Sequence, residues 1–405
     1  MTQQNYKLAI DFGTSRTKVA YFDEHNNRPE LIEIGRNVLT MIPTVFYVPK
    51  AGEGNILVGD DAEEMLDHDP DGYVIALKKE IHKPGKIRLG SGRSIERVEL
   101  ASHLFQYIKE FVEKHIPAFY KKTIDSCILT VPVCFSEPQR DAIRRAAEKG
   151  GFRHVRVIEK PVAAAKAWLF ATHTQGINNV IVCDIGGGTT DFAVVQYKNG
   201  IFQPIPEIPT KGFNWGGDDL DERILESAQE NNNDDSDESQ SFWNKVFSWK
   251  NAFKSKVRRI KEFLRKNRKP EHGIDIKGNG FILKQETINQ CVGDFTDQIC
   301  NELKPYIKLC REKLKVENIP VLLVGGSSQL LGLEGKIKAI AGDANTFCWS
   351  RSEYAVVLGA AMDGIKTSTT QNLGHVLKLL NTRIRSEEPI IYDQSDNDFV
   401  HQFRL

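Results

Sequence analysis

No CxxC pair, no long apolar run and no excess of either charge occurs among the 405 residues, and each absence removes a class of function. Lysine plus arginine number 54, as do aspartate plus glutamate, so no overall field draws the chain to nucleic acid or an anionic membrane. No window supplies the roughly 18 uninterrupted apolar residues of a membrane span. The opening MTQQNYKLAI lacks a basic region leading into an apolar stretch, so no secretory signal is expected. The seven cysteines lie at 127, 134, 183, 291, 300, 310 and 348, several within apolar runs such as SCILTV and VIVCDI. They read as buried free thiols of a reducing compartment rather than metal ligands or disulfides. A soluble cytoplasmic protein is expected, long enough for two or more packed units.

What is present is an alternation. Strand-like runs recur before glycine-rich turns: KLAI before DFG, CILTVPV before CFSEP, NVIVC before DIGGG, PVLLV before GGSS. Helical patterns separate them. In EPQRDAIRRAAEKGG, Ile143, Ala146 and Ala147 form a narrow apolar stripe and a glycine pair ends the helix. Such alternation predicts an α/β architecture. Residues 38–100 read as a mixed insert, and composition shifts sharply within 217–290. There the acidic stretch QENNNDDSDESQS (229–241) reads as a loop. The following FWNKVFSWKNAFKSKVRRIKEFLRKNRKP carries eleven lysines and arginines against one glutamate. Its apolar residues Val246, Trp249, Phe253, Val257, Ile260 and Leu264 advance by three or four, predicting an amphipathic helix. A solvated basic face explains it more simply than nucleic acid or lipid.

An internal repeat carries the most information. DFGTSRTKVAYF begins at Asp11 and DIGGGTTDFAVV at Asp184; both follow a strand and share D-x-G-x-x-x-T-x-x-A. Each predicts a β-hairpin with a glycine- and hydroxyl-rich tip, and the pair suggests two related domains facing each other. Glycines let a backbone approach a phosphate, and its N–H groups can point at the oxygens. Gly13, Thr14 and Ser15 on one tip, with Gly186, Gly187, Gly188 and Thr189 on the other, are the candidate cradle. Asp11 and Asp184, at the strand ends, would repel a phosphate unless a cation such as Mg²⁺ lay between. The turn VLLVGGSSQLLG adds Gly325 and Gly326 ahead of a helical pattern.

In order and spacing, AIDFGTSRTKVAYF, VCDIGGGTTDFAVV and VLLVGGSSQ resemble the two phosphate motifs and the adenosine motif of the actin-like ATPase superfamily. TVPVCFSEPQRDAIRRAAEKGGF followed by VIEKPVAAAKAW resembles the connecting motif of DnaK-type heat-shock chaperones. WGGDDLDERIL (215–225) and RSEYAVVLGAA (351–361) are similar to further segments of that family. The resemblance covers about residues 6–371. It implies an actin-like ATPase fold of two related α/β lobes, each with an inserted subdomain, around a nucleotide cleft. Lobe I would span 1–174 with its insert at about 38–100, and lobe II 175–371 with its insert at about 217–290. Residues 372–405 would form a linker-like segment and tail, with no peptide-binding domain.

The resemblance also implies roles, residue by residue. Thr14 and Ser15 would contact phosphate, and Asp11 and Asp184 would partner Mg²⁺, with Asp184 beside the attacking water. Gly186, Gly187, Gly188 and Thr189 would hold the outer phosphates, and Lys78, with Lys79 as its rival, would reach the γ-phosphate. Gly217, Gly325, Gly326 and Ser327 would lie along the nucleotide, and Lys261 would reach toward the nucleoside. Gln329 stands where the family has an arginine that stacks on adenine, and Arg258, Glu262 and Arg265 alter the nucleoside contacts of the basic helix. Lys160 stands where the family has a glutamate directly before the proline, with Glu159 one residue early. Either Glu159 recovers that role, or Lys160 enters the cleft as a fixed cation and slows turnover. Pro132 and Arg140 hold the places through which the family couples nucleotide state to its partner domain. The expectation is an ATP/ADP switch with slow hydrolysis, sensed by a protein partner. A pseudoenzyme without turnover and an actin-like filament protein stand as alternatives.

Overall fold

The computed structural model describes residues 7–35, 40–51, 53–90, 92–172, 178–199, 201–232, 257–258, 276–278, 281–283, 285–349 and 351–363. Lys261, the stretch 233–241, most of the basic segment and the tail 372–405 lie outside the described residues.

The repeat read from the sequence is a repeat of sheet topology. In the first sheet, β1 (Lys7–Phe12) turns back into β2 (Arg16–Asp23), followed by β3 (Arg28–Leu31) and the short β4 (Ile42–Pro43). Strands β5 (Ser126–Val131) and β6 (His154–Glu159) complete it, in the order β6-β5-β1-β2-β3 with β4 beside β2. The second sheet contains β7 (Asn179–Ile185), β8 (Thr190–Lys198), β9 (Ile201–Pro204), β10 (Lys211–Phe213), β11 (Val321–Val324) and β12 (Thr346–Cys348). Its order is β9-β8-β7-β11-β12, with β10 beside β8. In both sheets an antiparallel hairpin is flanked on one side by two parallel strands and on the other by an antiparallel one. Each lobe is therefore built on the same plan.

Alternation along the strands sorts side chains into layers. Leu8, Ile10 and Phe12 face an outer core with two helices, α1 (Arg97–His115) and α2 (Glu137–Lys149). Ile143, Ala146 and Ala147 of α2 are fully buried there, and the Ser136 N–H donates to Gln139 Oε1 at 2.9 Å to cap its first turn. Ile181, Cys183 and Ile185 face the second outer core, against α3 (Gly217–Asn232), the long α4 (Gln285–Leu314) and Val257. Ala9, Ala20 and Ile128 of the first sheet and Val180, Val182, Leu322 and Val324 of the second share an inner layer. That layer is filled by two helices, Lys160–Thr172 and Ala355–Ala361, rich in alanine. A Cβ on Gly359 would meet the Ala163 carbonyl oxygen at 1.7 Å, so only glycine lets their backbones approach this closely.

Within 40–100 a small sheet joins Phe46–Tyr47, Leu57–Val58 and Tyr73–Val74 over a separate apolar cluster that includes Val45, Leu66 and Ile75. Among the described residues no helix is long and apolar enough to cross a membrane. All seven cysteines are free; five are buried, Cys134 is half-buried and Cys348 exposed.

Candidate functional site

The two hairpin tips face one cavity of about 360 Å³. Gly13, Thr14 and Ser15 line it from the first sheet, and Gly186, Gly187, Gly188 and Thr189 from the second. The tips are closely apposed. A Cβ on Gly187 would sit 2.2 Å from Ser15 Oγ, and one on Gly188 2.3 Å from Thr14 Oγ1. Gly217, Gly325, Gly326 and Ser327 also border the cavity. Gly217 N donates to Gly186 O at 3.0 Å and Ser327 Oγ to the same carbonyl at 3.1 Å, tying these segments to the second tip. Gly325, at φ +89°, turns directly against Asp184 and Ile185, where a side chain would clash.

The charged residues converge. Asp11 is the penultimate residue of β1, and its Oδ1 accepts from Thr130 Oγ1 at 2.7 Å and from Lys160 Nζ at 3.0 Å. Lys18 Nζ lies 3.6 Å from Asp11 Oδ2. Burial alone would raise this carboxyl, but Lys160, Lys18 and Lys78 together hold it far below the ordinary carboxylate range. Burial likewise opposes the charge on Lys160, and Asp11 and Asp184 overcome it, leaving this ammonium firmly protonated. Lys78 donates to the Phe12 carbonyl and sits near the rings of Phe12 and Phe135. Burial, with Lys160 nearby, lowers it to about 7. Asp184 is raised, first by burial and then by Asp11, against the pull of Lys160.

Of the two residues before Pro161, Lys160 enters the cavity and Glu159 does not. Glu159 accepts from Arg140 Nη2 at 3.0 Å, and the same guanidinium donates through Nε to the Phe135 carbonyl at 3.0 Å. The last residue of β6 and the first of the following helix point apart. Lys79 also turns from Lys78: its Nζ pairs with Asp219 Oδ2 at 2.9 Å across the cleft. Gln329 does not border the cavity; its amide donates to Ser352 Oγ at 3.0 Å. Arg258, from the basic segment, does border it, and pairs with Asp218 at 2.9 Å and Asp221 at 3.4 Å. Ser15 Oγ donates to Asp218 Oδ1 at 2.7 Å, a second link across the cleft.

Sequence reasoning missed Lys18, although the hairpin held the signal. Asp11 and Lys18 are direct cross-strand partners, as are Asp184 and Asp191 at the equivalent place in the second hairpin. Directly opposed residues share a face. Burial, and then Asp184, push the Asp191 carboxyl up to about 6.

The Mg²⁺ expected at Asp11 and Asp184 meets an Asp11 whose carboxylate is already engaged by lysines. The ion demands near-octahedral oxygen ligands at about 2.1 Å, whereas both Asp11 oxygens face ammonium groups.

Two sheets of one plan, each presenting a hairpin tip to a shared cleft, define the actin-like ATPase fold. The chain belongs to the Hsp70 family, whose model, described as Hsp70 protein, matches residues 56–380. It is 27% identical over 365 residues to the chaperone protein DnaK of Mycoplasmopsis pulmonis, covering 88% of this chain and 58% of that one. To the chaperone protein HscA of Buchnera aphidicola it is 27% identical over 350 residues, 80% of this chain and 52% of that one. A chaperone protein HscA homolog of Acinetobacter baylyi is 24% identical over 382 residues, 88% and 57% of the two chains. The chain thus spans a little over half the length of these curated relatives.

Proposed function

We propose that this chain binds ATP or ADP between its lobes, turns ATP over slowly, and changes shape with nucleotide state for a cytoplasmic protein partner. One observation carries the reading: two duplicated hairpin tips converge with Asp11, Asp184 and Lys78 on one cavity. Family membership supports it, since the Hsp70 family binds ATP and ADP, generally with Mg²⁺.

In this reading the tip glycines and the hydroxyls of Thr14, Ser15 and Thr189 hold phosphate oxygens. Lys78 supplies positive charge to the transferring phosphoryl group, the main device of phosphoryl transfer. Asp184, whose raised pKa makes it a stronger base than an ordinary carboxylate, accepts the proton of the attacking water. Turnover is slow because Lys160 and Lys18 engage Asp11, which then cannot help order that water. The same contacts favour a second reading, a nucleotide sensor with no turnover at all.

Measuring ATP hydrolysis in the wild type and Lys160→Glu tests the assignment. Removing the closer of the two ammonium groups from Asp11 should raise the rate at least about tenfold, or about 1.4 kcal/mol in the barrier. An unchanged rate would sink the role given to Lys160, and a wild type with no detectable turnover selects the sensor.

A further inference from the structure

We infer that Lys160, seconded by Lys18, takes the place of a divalent cation, so that this cleft binds its nucleotide without metal. The inference rests on the nucleotide reading above and concerns what balances the phosphate charge. Lys160 Nζ and Lys18 Nζ approach opposite oxygens of one carboxylate, at 3.0 and 3.6 Å. Two ammonium groups carry the two positive charges of a divalent ion, and they sit on the acid that such an ion would use. Both residues border the cavity between the hairpin tips and are 8% exposed. An ammonium has three N–H donors, so a contact to Asp11 leaves capacity for phosphate oxygens.

The anchor of this side chain is set by the fold. Lys160 is the first residue of the inner-layer helix Lys160–Thr172. Ala163, one turn on, lies against Gly359, and Trp168 is 1% exposed within the same layer. The packed helix fixes the Cα from which the Lys160 side chain reaches Asp11, and its flexible four-carbon stem lets the ammonium swing onto phosphate oxygens beside it. A metal ion brought to Asp11 would meet two positive charges on its carboxylate, a repulsion strengthened by burial. Lys78 adds a third cation to the cleft wall once phosphate draws a proton onto it, while Arg258 is taken up by Asp218 and Asp221.

The test is titration calorimetry of the full chain with ATP and with ADP, in Mg²⁺ and in excess EDTA. The expected wild-type Kd changes by less than about fivefold between the buffers. Lys160→Met should bind at least about tenfold more weakly in EDTA, and Lys160→Glu should bind far better with Mg²⁺ than without. Lys18→Met, expected to weaken EDTA binding by a smaller factor, serves if circular dichroism shows the Lys160 variants unfolded. Wild-type affinity falling fivefold or more in EDTA overturns metal replacement and leaves the nucleotide reading standing. No binding of either nucleotide in either buffer overturns both.

Discussion

Burial lowers the Lys78 ammonium to about 7, with Lys160 helping and Asp11 and Asp184 resisting. The folded chain therefore gives up this proton more readily than the unfolded chain, whose lysine titrates near 10.5. The buried charge costs stability below pH 7, and the cost fades as pH rises from 7 toward 10.5. Phosphate oxygens reverse the preference. Nucleotide binding at pH 8 should take up close to one proton, and affinity should fall by up to about tenfold per pH unit above 7. Calorimetry in buffers of different ionisation enthalpy reads the uptake, which Lys78→Met should abolish. Asp191 behaves oppositely: its folded pKa of about 6 exceeds the ordinary 3.8. Its ionised form destabilises the fold above pH 6, and that penalty disappears as pH falls through 6 toward 3.8. Asp191→Asn should stabilise the protein by up to about 3 kcal/mol at pH 7.5. Urea denaturation should show the gain shrinking steadily toward pH 4.

At the scale of elements, the closest helix contact is the most exposed to mutation. Gly359→Ala places a methyl group within 1.7 Å of the Ala163 carbonyl oxygen, where backbone rather than a flexible side chain must yield. A loss of about 2–3 kcal/mol is expected from such overpacking, visible as a lower denaturation midpoint. Weaker nucleotide binding should accompany it, because Lys160 opens the displaced helix. The helix Glu137–Lys149 and both hairpins were legible because local signals specify them: an apolar stripe, a glycine pair at the helix end, glycine at the turns. The choice between Glu159 and Lys160 was not. It depends on Arg140, nineteen residues earlier, which holds Glu159 outside the cavity. Gln329 shows the same limit, since only the folded chain brings Ser352 within reach of its amide. Arg258 was visible as part of a basic segment, but its acidic partners lie 37 and 40 residues away.

Across the whole molecule, the lobes meet through polar links to Asp218 and Asp219 beside the cavity. Lys79–Asp219 is partly exposed, so it contributes at most about 1 kcal/mol to stability. Its larger effect should be kinetic. Asp219→Asn should speed nucleotide release several-fold by easing separation of the lobes, as stopped-flow displacement of a fluorescent nucleotide would record. Unchanged release would mean that the pair does not restrain opening. Ser15→Ala should act in the same direction, because it removes both the hydroxyl's link to Asp218 and its contact with phosphate.

The duplicated hairpins have one consequence that their matching backbones conceal. Seven residues after the aspartate, one copy carries lysine and the other a second aspartate. Identical geometry thus presents opposite poles: Asp11 is screened by ammonium groups, whereas Asp184 and Asp191 retain their protons more tightly. A symmetric pair of halves has become an electrically asymmetric one, and a phosphate chain between them is drawn toward the first sheet.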